Sequence, residues 1–140
     1  MTDETIAILK GSLLFSSLSD DGIGKIAGIA TQRDFAAGAS LISQGDQGAL
    51  GMWIVIHGSL EVTSDGTTLA TFGPGEHVGE TSLVTEAPRS ADVSALTDTT
   101  TLQITRWDLR GLIAAHPEIA VGIMDAMAKR LAKTNQALSQ

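Results

Sequence analysis

Residues 52–72 read MWIVIHGSLEVTSDGTTLATF, and the fold follows from how that stretch is parsed. Met52 to His57 form an apolar run that stops at Gly58. Leu60 to Thr63 follow, then Ser64-Asp65-Gly66, then Thr67 to Phe72. Short apolar or β-branched runs cut by glycine read as strands joined by tight turns. Asp-Gly between two such runs tolerates the positive φ angles of a two-residue hairpin turn.

The same texture extends on both sides. Nine of the fifteen glycines lie between residues 38 and 79. Ser40 to Ser43, Ala91 to Ala95 and Thr100 to Thr105 read as further strands. The ends are helical instead. Ile6, Leu9 and Leu13 recur at helical spacing, and Ser19-Asp20-Asp21 supplies an N-cap and an acidic first turn ahead of Ile23, Ile26 and Ala30. Gly22, Gly24 and Gly28 weaken that helix by up to about 1 kcal/mol each where they fall in its interior. Trp107 to Ala115 form a short helix. Pro117 suits a first helical position, and Ile119, Ile123, Met127, Leu131 and Leu138 carry one apolar stripe onward. Core packing accounts for such a stripe, and so does covering a ligand or pairing with a second subunit. Lys129, Arg130 and Lys133 read as cations near the helix end, favoured there by its dipole.

The resulting expectation is an α+β fold: a small antiparallel β-barrel or jelly roll of about eight strands between helices. Residues 1–140 form a single domain, with N-terminal helices over 1–33, the barrel over 34–105 and two C-terminal helices over 106–140. The 140 residues, 43% hydrophobic and 18% charged, suit one globular domain with a real core. There is no cysteine, which excludes disulfide scaffolds, thiolate zinc sites and cysteine nucleophiles. Nine Lys and Arg against sixteen Asp and Glu give a net charge of −7, which repels phosphate backbones and predicts no direct nucleic-acid binding. The N-terminus lacks a basic n-region and no run approaches the length of a membrane span, so the reading is a soluble, cytoplasmic protein without a membrane partner. The chain ends after its last helix without an output segment, so a signal would pass to a protein partner, to a second copy, or to parts beyond this sequence.

Chemistry concentrates in residues 72–93, FGPGEHVGETSLVTEAPRSADV. Three glycines follow a strand. Glu80-Thr81-Ser82-Leu83 then begin a short helix, and Pro88-Arg89 precede the next strand. Gly79 permits close backbone approach, and the first amides of a new helical turn point outward unpaired. Arg89 offers a planar fork to two oxygens of an anion. Glu80 is a pure acceptor, suited to a ligand that carries a hydroxyl beside its phosphate, as a ribose does.

Gly79-Glu80-Thr81-Ser82-Leu83 followed by Pro88-Arg89-Ser90-Ala91 resembles the phosphate-binding cassette of cyclic nucleotide-binding domains. Phe15-x-x-Leu18-Ser19, Gly38-x-x-Leu41-Ile42-x-x-Gly45-Asp46 and Trp53 to Val62 are similar to the same family in order and spacing, so the resemblance covers nearly the whole chain. It implies a cassette over 78–91 that binds cAMP or cGMP, cAMP ahead of cGMP, with no further cofactor. Glu80 would hold the ribose 2′-OH. Arg89 and the amides of Thr81 and Ser82 would hold the phosphate. Ser90 would place its hydroxyl near phosphate or purine, Val78 and the strand from Arg89 to Val93 would contribute the wall, Gly79 and Ala91 would count among the ligand-binding residues, and the C-terminal helix would supply a lid. Two departures from the family pattern stand out. Residues 45–51, GDQGALG, run one residue longer than the usual loop and lack its second acid, and Thr81-Ser82 replace a commonly apolar pair.

Other readings exist. Arg89 beside Glu86 and Asp92 is also what a surface ion pair looks like. His57, His77 and Glu80 suggest a metal enzyme on a cupin-like barrel, but Gly79 stands where a second inward ligand would be needed. Glu76 with Glu80 is a poor acid/base pair because Arg89 would lower a nearby carboxylate's pKa. No serine triad is present, and the reading is not an enzyme. A protein-interaction module with a vestigial pocket keeps the same fold.

Overall fold

In the computed structural model Asp65 (φ 51°) and Gly66 (φ 80°) take left-handed backbone conformations. They join strands β4 (Leu60–Ser64) and β5 (Thr67–Phe72) by a two-residue turn whose closing pair is Ser64 and Thr67. The hairpin therefore forms as its Asp-Gly chemistry requires. The structure describes residues 3–45, 51–83 and 91–138, with backbone only at 81, 82, 137 and 138.

By residue contacts the chain divides into two compact units, Met1–Gly28 with Arg110–Gln140, and Ile29–Leu109. The second unit is all β until its end. Its remaining strands are β1 (Thr31–Phe35), β2 (Ser40–Ile42), β3 (Met52–His57), β6 (His77–Val78), β7 (Asp92–Ala95) and β8 (Thr99–Ile104). They form two four-stranded antiparallel sheets, ordered β1-β8-β3-β6 and β2-β7-β4-β5. This is the jelly roll expected from the sequence, but its sheets do not close into a barrel. Leu41, Ile42, Trp53, Val55, Leu60, Val78, Val93 and Ala95 form a buried cluster drawn from both sheets.

Two strands escape the sequence pattern. β1, Thr-Gln-Arg-Asp-Phe, has four exposed residues and no apolar alternation, and it lies partly where helix is expected. It is a strand because all five residues pair with β8. β6 has only two residues, too few for any periodicity.

The other unit is helical. It holds α1 (Asp3–Gly11), a 3-10 turn at Leu13–Phe15, α2 (Asp20–Ile29) and α4 (Glu118–Leu138), while α3 (Arg106–Ala115) runs across the division. Leu9, Phe15, Ile23, Ile26 and Ile119 are buried. Ser19 caps α2 as expected: its Oγ accepts the Gly22 amide at 3.1 Å, and its carbonyl accepts the Ile23 amide at 2.9 Å. Ser19→Ala should cost about 1 kcal/mol, read as a fall in melting temperature of about 3 to 5 °C. Pro117 stands one residue ahead of α4 and accepts the Ala120 amide at 3.1 Å, so it precedes the helix instead of opening it. Among the described residues no single helix is long and apolar enough to cross a membrane.

The apolar stripe of α4 divides along its length. Ile119 is fully buried, but Met127 and Leu131 are exposed, so packing within the chain accounts only for its first turns. The three cations also differ from expectation. The helix runs on to Leu138 and has no basic residue in its last turn, whereas the dipole's pull on a cation fades within that turn. Lys129, Arg130 and Lys133 are not an end cap.

Candidate anion-binding site

The segment after β5 is hooked onto β3 by a closed set of hydrogen bonds, all but one of them between backbone groups. Gly73 donates its amide to Glu76 Oε1 at 2.9 Å, and Glu76 returns its own amide to the Gly73 carbonyl at 3.1 Å. Gly75 donates to the Val55 carbonyl at 2.8 Å, and Val55 donates to the Glu76 carbonyl at 2.9 Å. β6 then continues along β3, pairing Ile54 with His77 and Trp53 with Val78. Glu76 thus closes a turn, a structural duty that takes it away from the acid/base pair considered above.

At Gly79 the chain leaves the sheet with φ at 84°. A side chain in this left-handed conformation costs about 1 to 2 kcal/mol, so glycine is what lets the strand pass straight into the next turn. That turn is a 3-10 helix, Glu80–Leu83, whose last residue is buried. Glu80 lies at its start, with Oε2 3.4 Å from His77 Nδ1, and its side chain is part-exposed.

Of the sequence-singled residues, Val78 is buried in the two-sheet cluster. Gly79 and Glu80 follow it directly, and the backbone of Thr81 and Ser82 lies in the 3-10 turn. Ala91 is half-buried immediately before β7, whose second residue, Val93, belongs to the same cluster as Val78. Both ends of the 79–91 segment are therefore anchored on one core. Arg89 and Ser90 lie outside the described residues, as do Glu86 and residues 46–50 of the longer loop. Asp92, considered above as an ion-pair partner for Arg89, accepts the Gln44 amide on Oδ1 at 2.6 Å and so ties the start of that loop to β7.

Two buried nitrogens near this segment were not legible as a pair in sequence. Trp53 Nε1 is buried without a hydrogen-bond partner among the described residues, and the only polar approach to the buried His77 Nδ1 among them is the 3.4 Å contact with Glu80, which is not a hydrogen bond. They occupy the two β3/β6 pairs that lead into Gly79. An indole N–H that is buried usually finds an acceptor. No group of three His, Asp or Glu among the described residues is placed to hold a metal ion.

A sequence model of the cyclic nucleotide-binding domain matches residues 32–116. The cyclic AMP receptor protein of Thermus thermophilus is 33% identical over 128 residues, covering 88% of this chain and 59% of that protein. The chain spans less than two thirds of the length of the curated relatives it matches. Among solved structures, the N-terminal domain of a transcriptional regulator from Streptomyces coelicolor A3(2) superposes with a TM-score of 0.82 at 32% identity, covering 94% of both chains. The regulatory domain of Toxoplasma gondii PKA, solved with cAMP, gives a TM-score of 0.73 at 27% identity over 79% of this chain and 43% of that one.

Proposed function

The chain belongs to the cyclic nucleotide-binding domain family, and from that premise we propose that it is a cyclic-nucleotide sensor that takes cAMP ahead of cGMP. The observation that carries this reading is the common anchoring of Val78 and Val93, which holds both ends of the 79–91 segment on one core. The relatives whose names carry cAMP support the choice of messenger. In this reading Glu80 accepts the ribose 2′-OH, and Arg89 pairs with the phosphate. The amides of Thr81 and Ser82 add donors, Ser90 supplies a hydroxyl, and Val78, Gly79 and Ala91 form the wall. Residues 1–140 act as one functional domain, no residue is assigned a catalytic step, and the protein works in the cytoplasm without contacting nucleic acid or membrane directly.

Parallel calorimetric titrations with cAMP, cGMP and AMP test the reading. Micromolar or tighter binding of a cyclic form over AMP is the expected result. No binding of any of the three by protein that melts cooperatively would leave an interaction module with a vestigial pocket. Glu80→Gln should weaken cAMP more than it weakens 2′-deoxy-cAMP. Equal losses for both ligands would remove Glu80 from the hydroxyl.

Relay to the C-terminal helices requires the ligand to favour one arrangement, by about 5.5 kcal/mol for a nearly complete switch. The output is a protein partner, and the first candidate is a second copy joined through α4. Val121, Met124, Ala128, Leu131, Asn135 and Leu138 alternate at three- and four-residue spacing, the pattern of a two-stranded seam with a polar register-setting position. Val121, Met124 and Leu131 are 60%, 59% and 61% exposed. Leu131→Glu should shift sedimentation from dimer toward monomer at micromolar concentration, and an unchanged sedimentation profile would remove the seam.

A further inference from the structure

On its inner face α4 packs closely at first: a Cβ added to Gly122 would collide with the Leu18 side chain, and Ala126 is buried. One turn further on, the same face changes character and opens. A groove of about 630 Å³ lies there between the Leu13–Phe15 turn and the second half of α4. Leu13 and Ala126 give it an apolar lining, and Lys129, Arg130 and Lys133 line it as well. These are the three cations for which the helix end offers no explanation.

Their pairing is uneven. Lys129 lies 2.9 Å from Asp125, and that ammonium, with the Ser17 hydroxyl, holds the Asp125 carboxyl below its ordinary pKa. Arg130 and Lys133 have no carboxylate partner among the described residues. The hydroxyls of Ser16 and Thr134 donate to the carbonyls of Leu13 and Arg130, each at 3.0 Å, so polar recognition in the groove falls to the cations. Two unmatched positive charges beside an apolar recess, in a chain of net charge −7, are a local departure from the rest of the molecule.

We propose that this groove docks an acidic, amphipathic segment of a partner protein. Carboxylates meet Arg130 and Lys133, and an apolar side chain enters between Leu13 and Ala126. The volume suits a few side chains, as ligand-sized recesses do. Arginine's planar fork matches a carboxylate in two-point contact. A nucleic-acid backbone has no apolar group to fill the recess and is repelled by the chain as a whole. A membrane surface takes up protruding apolar side chains, not a concave site. A second copy of this chain is a poor occupant: of its two adjacent acidic pairs, Asp20-Asp21 is already engaged by Lys10 and Lys25, and Asp3-Glu4 opens α1, whose apolar Leu9 is buried within its own chain. The groove lies wholly within the helical unit, so the proposal stands apart from the nucleotide reading.

The test uses the full chain without nucleotide and a labelled 14-residue helical peptide with leucines on one face and glutamates elsewhere. Two control peptides replace every leucine by alanine or every glutamate by lysine. Fluorescence anisotropy should show the first peptide bound at least about tenfold more tightly than either control. Arg130→Glu with Lys133→Glu should lower its affinity at least about tenfold, Arg130→Gln with Lys133→Gln by less, and Arg110→Glu on α3 by less than about twofold. Unfolding midpoints close to the parent's are expected for all three, since the altered residues are exposed. Equal binding of the alanine peptide would overturn the proposal, as would full affinity in the doubly reversed variant. Preferential binding of phosphatidylserine vesicles or duplex DNA, lost in that same variant, would overturn it in favour of a phosphate surface.

Discussion

Arg89→Ala is expected to weaken cAMP binding by about 2 to 5 kcal/mol, roughly thirtyfold to several-thousandfold, in a calorimetric titration. The size follows from what remains. In the proposed site the phosphate keeps its contacts to backbone amides but loses its only side-chain cation, and a desolvated anion without a charge partner is costly. Arg89→Lys should fall between the parent and the alanine variant, because it restores the charge without the two-point fork. Parent-like affinity in Arg89→Ala would remove the residue from the site. The melting temperature of ligand-free protein reports on folding separately.

The second large effect is on stability. Gly51 has φ at 99°, and a Cβ there would overlap the carbonyl oxygen of Ile104 on the neighbouring strand β8. Gly51→Ala combines left-handed strain with a clash against backbone, which cannot rotate away as a side chain can. We expect a loss of about 3 kcal/mol or more and a melting temperature lower by about 10 °C. Gly38→Ala separates the two causes. Gly38 has nearly the same φ, 89°, but open space where the Cβ would stand. That variant should lose about 1 kcal/mol. Equal losses in the two would mean that strain alone governs both positions.

These two residues also mark what could be read from sequence. The β3–β4–β5 stretch was legible because apolar runs and an Asp-Gly turn are local signals, and the observed bounds of β3 and β5 coincide with the expected ones. Ser19 was legible as a cap for the same reason. β1 was not, since Thr31 to Phe35 carry no pattern of their own and become a strand only by pairing with β8, about seventy residues away. The need for glycine at residue 51 is likewise non-local, created by Ile104. At the candidate site, the order Gly79-Glu80 could be read, as could its position after a strand. The neighbouring buried nitrogens of Trp53 and His77 could not, because they depend on two strands meeting. The cations of α4 misled because helix length decides whether a charge is terminal, and five further residues follow Lys133 before the helix ends.

The placement of the aromatic residues makes the molecule its own optical reporter. The chain has two tryptophans and no tyrosine. Trp53 is 3% exposed in the interior of the roll, and Trp107 is 68% exposed on α3. Their emission separates by environment, short-wavelength and shielded from acrylamide for Trp53, long-wavelength and readily quenched for Trp107. On the proposed sensor reading, a ligand entering the roll would perturb the blue component, and a rearrangement of α3 the red one. A single unlabelled spectrum followed over time would then resolve the order of the two proposed events.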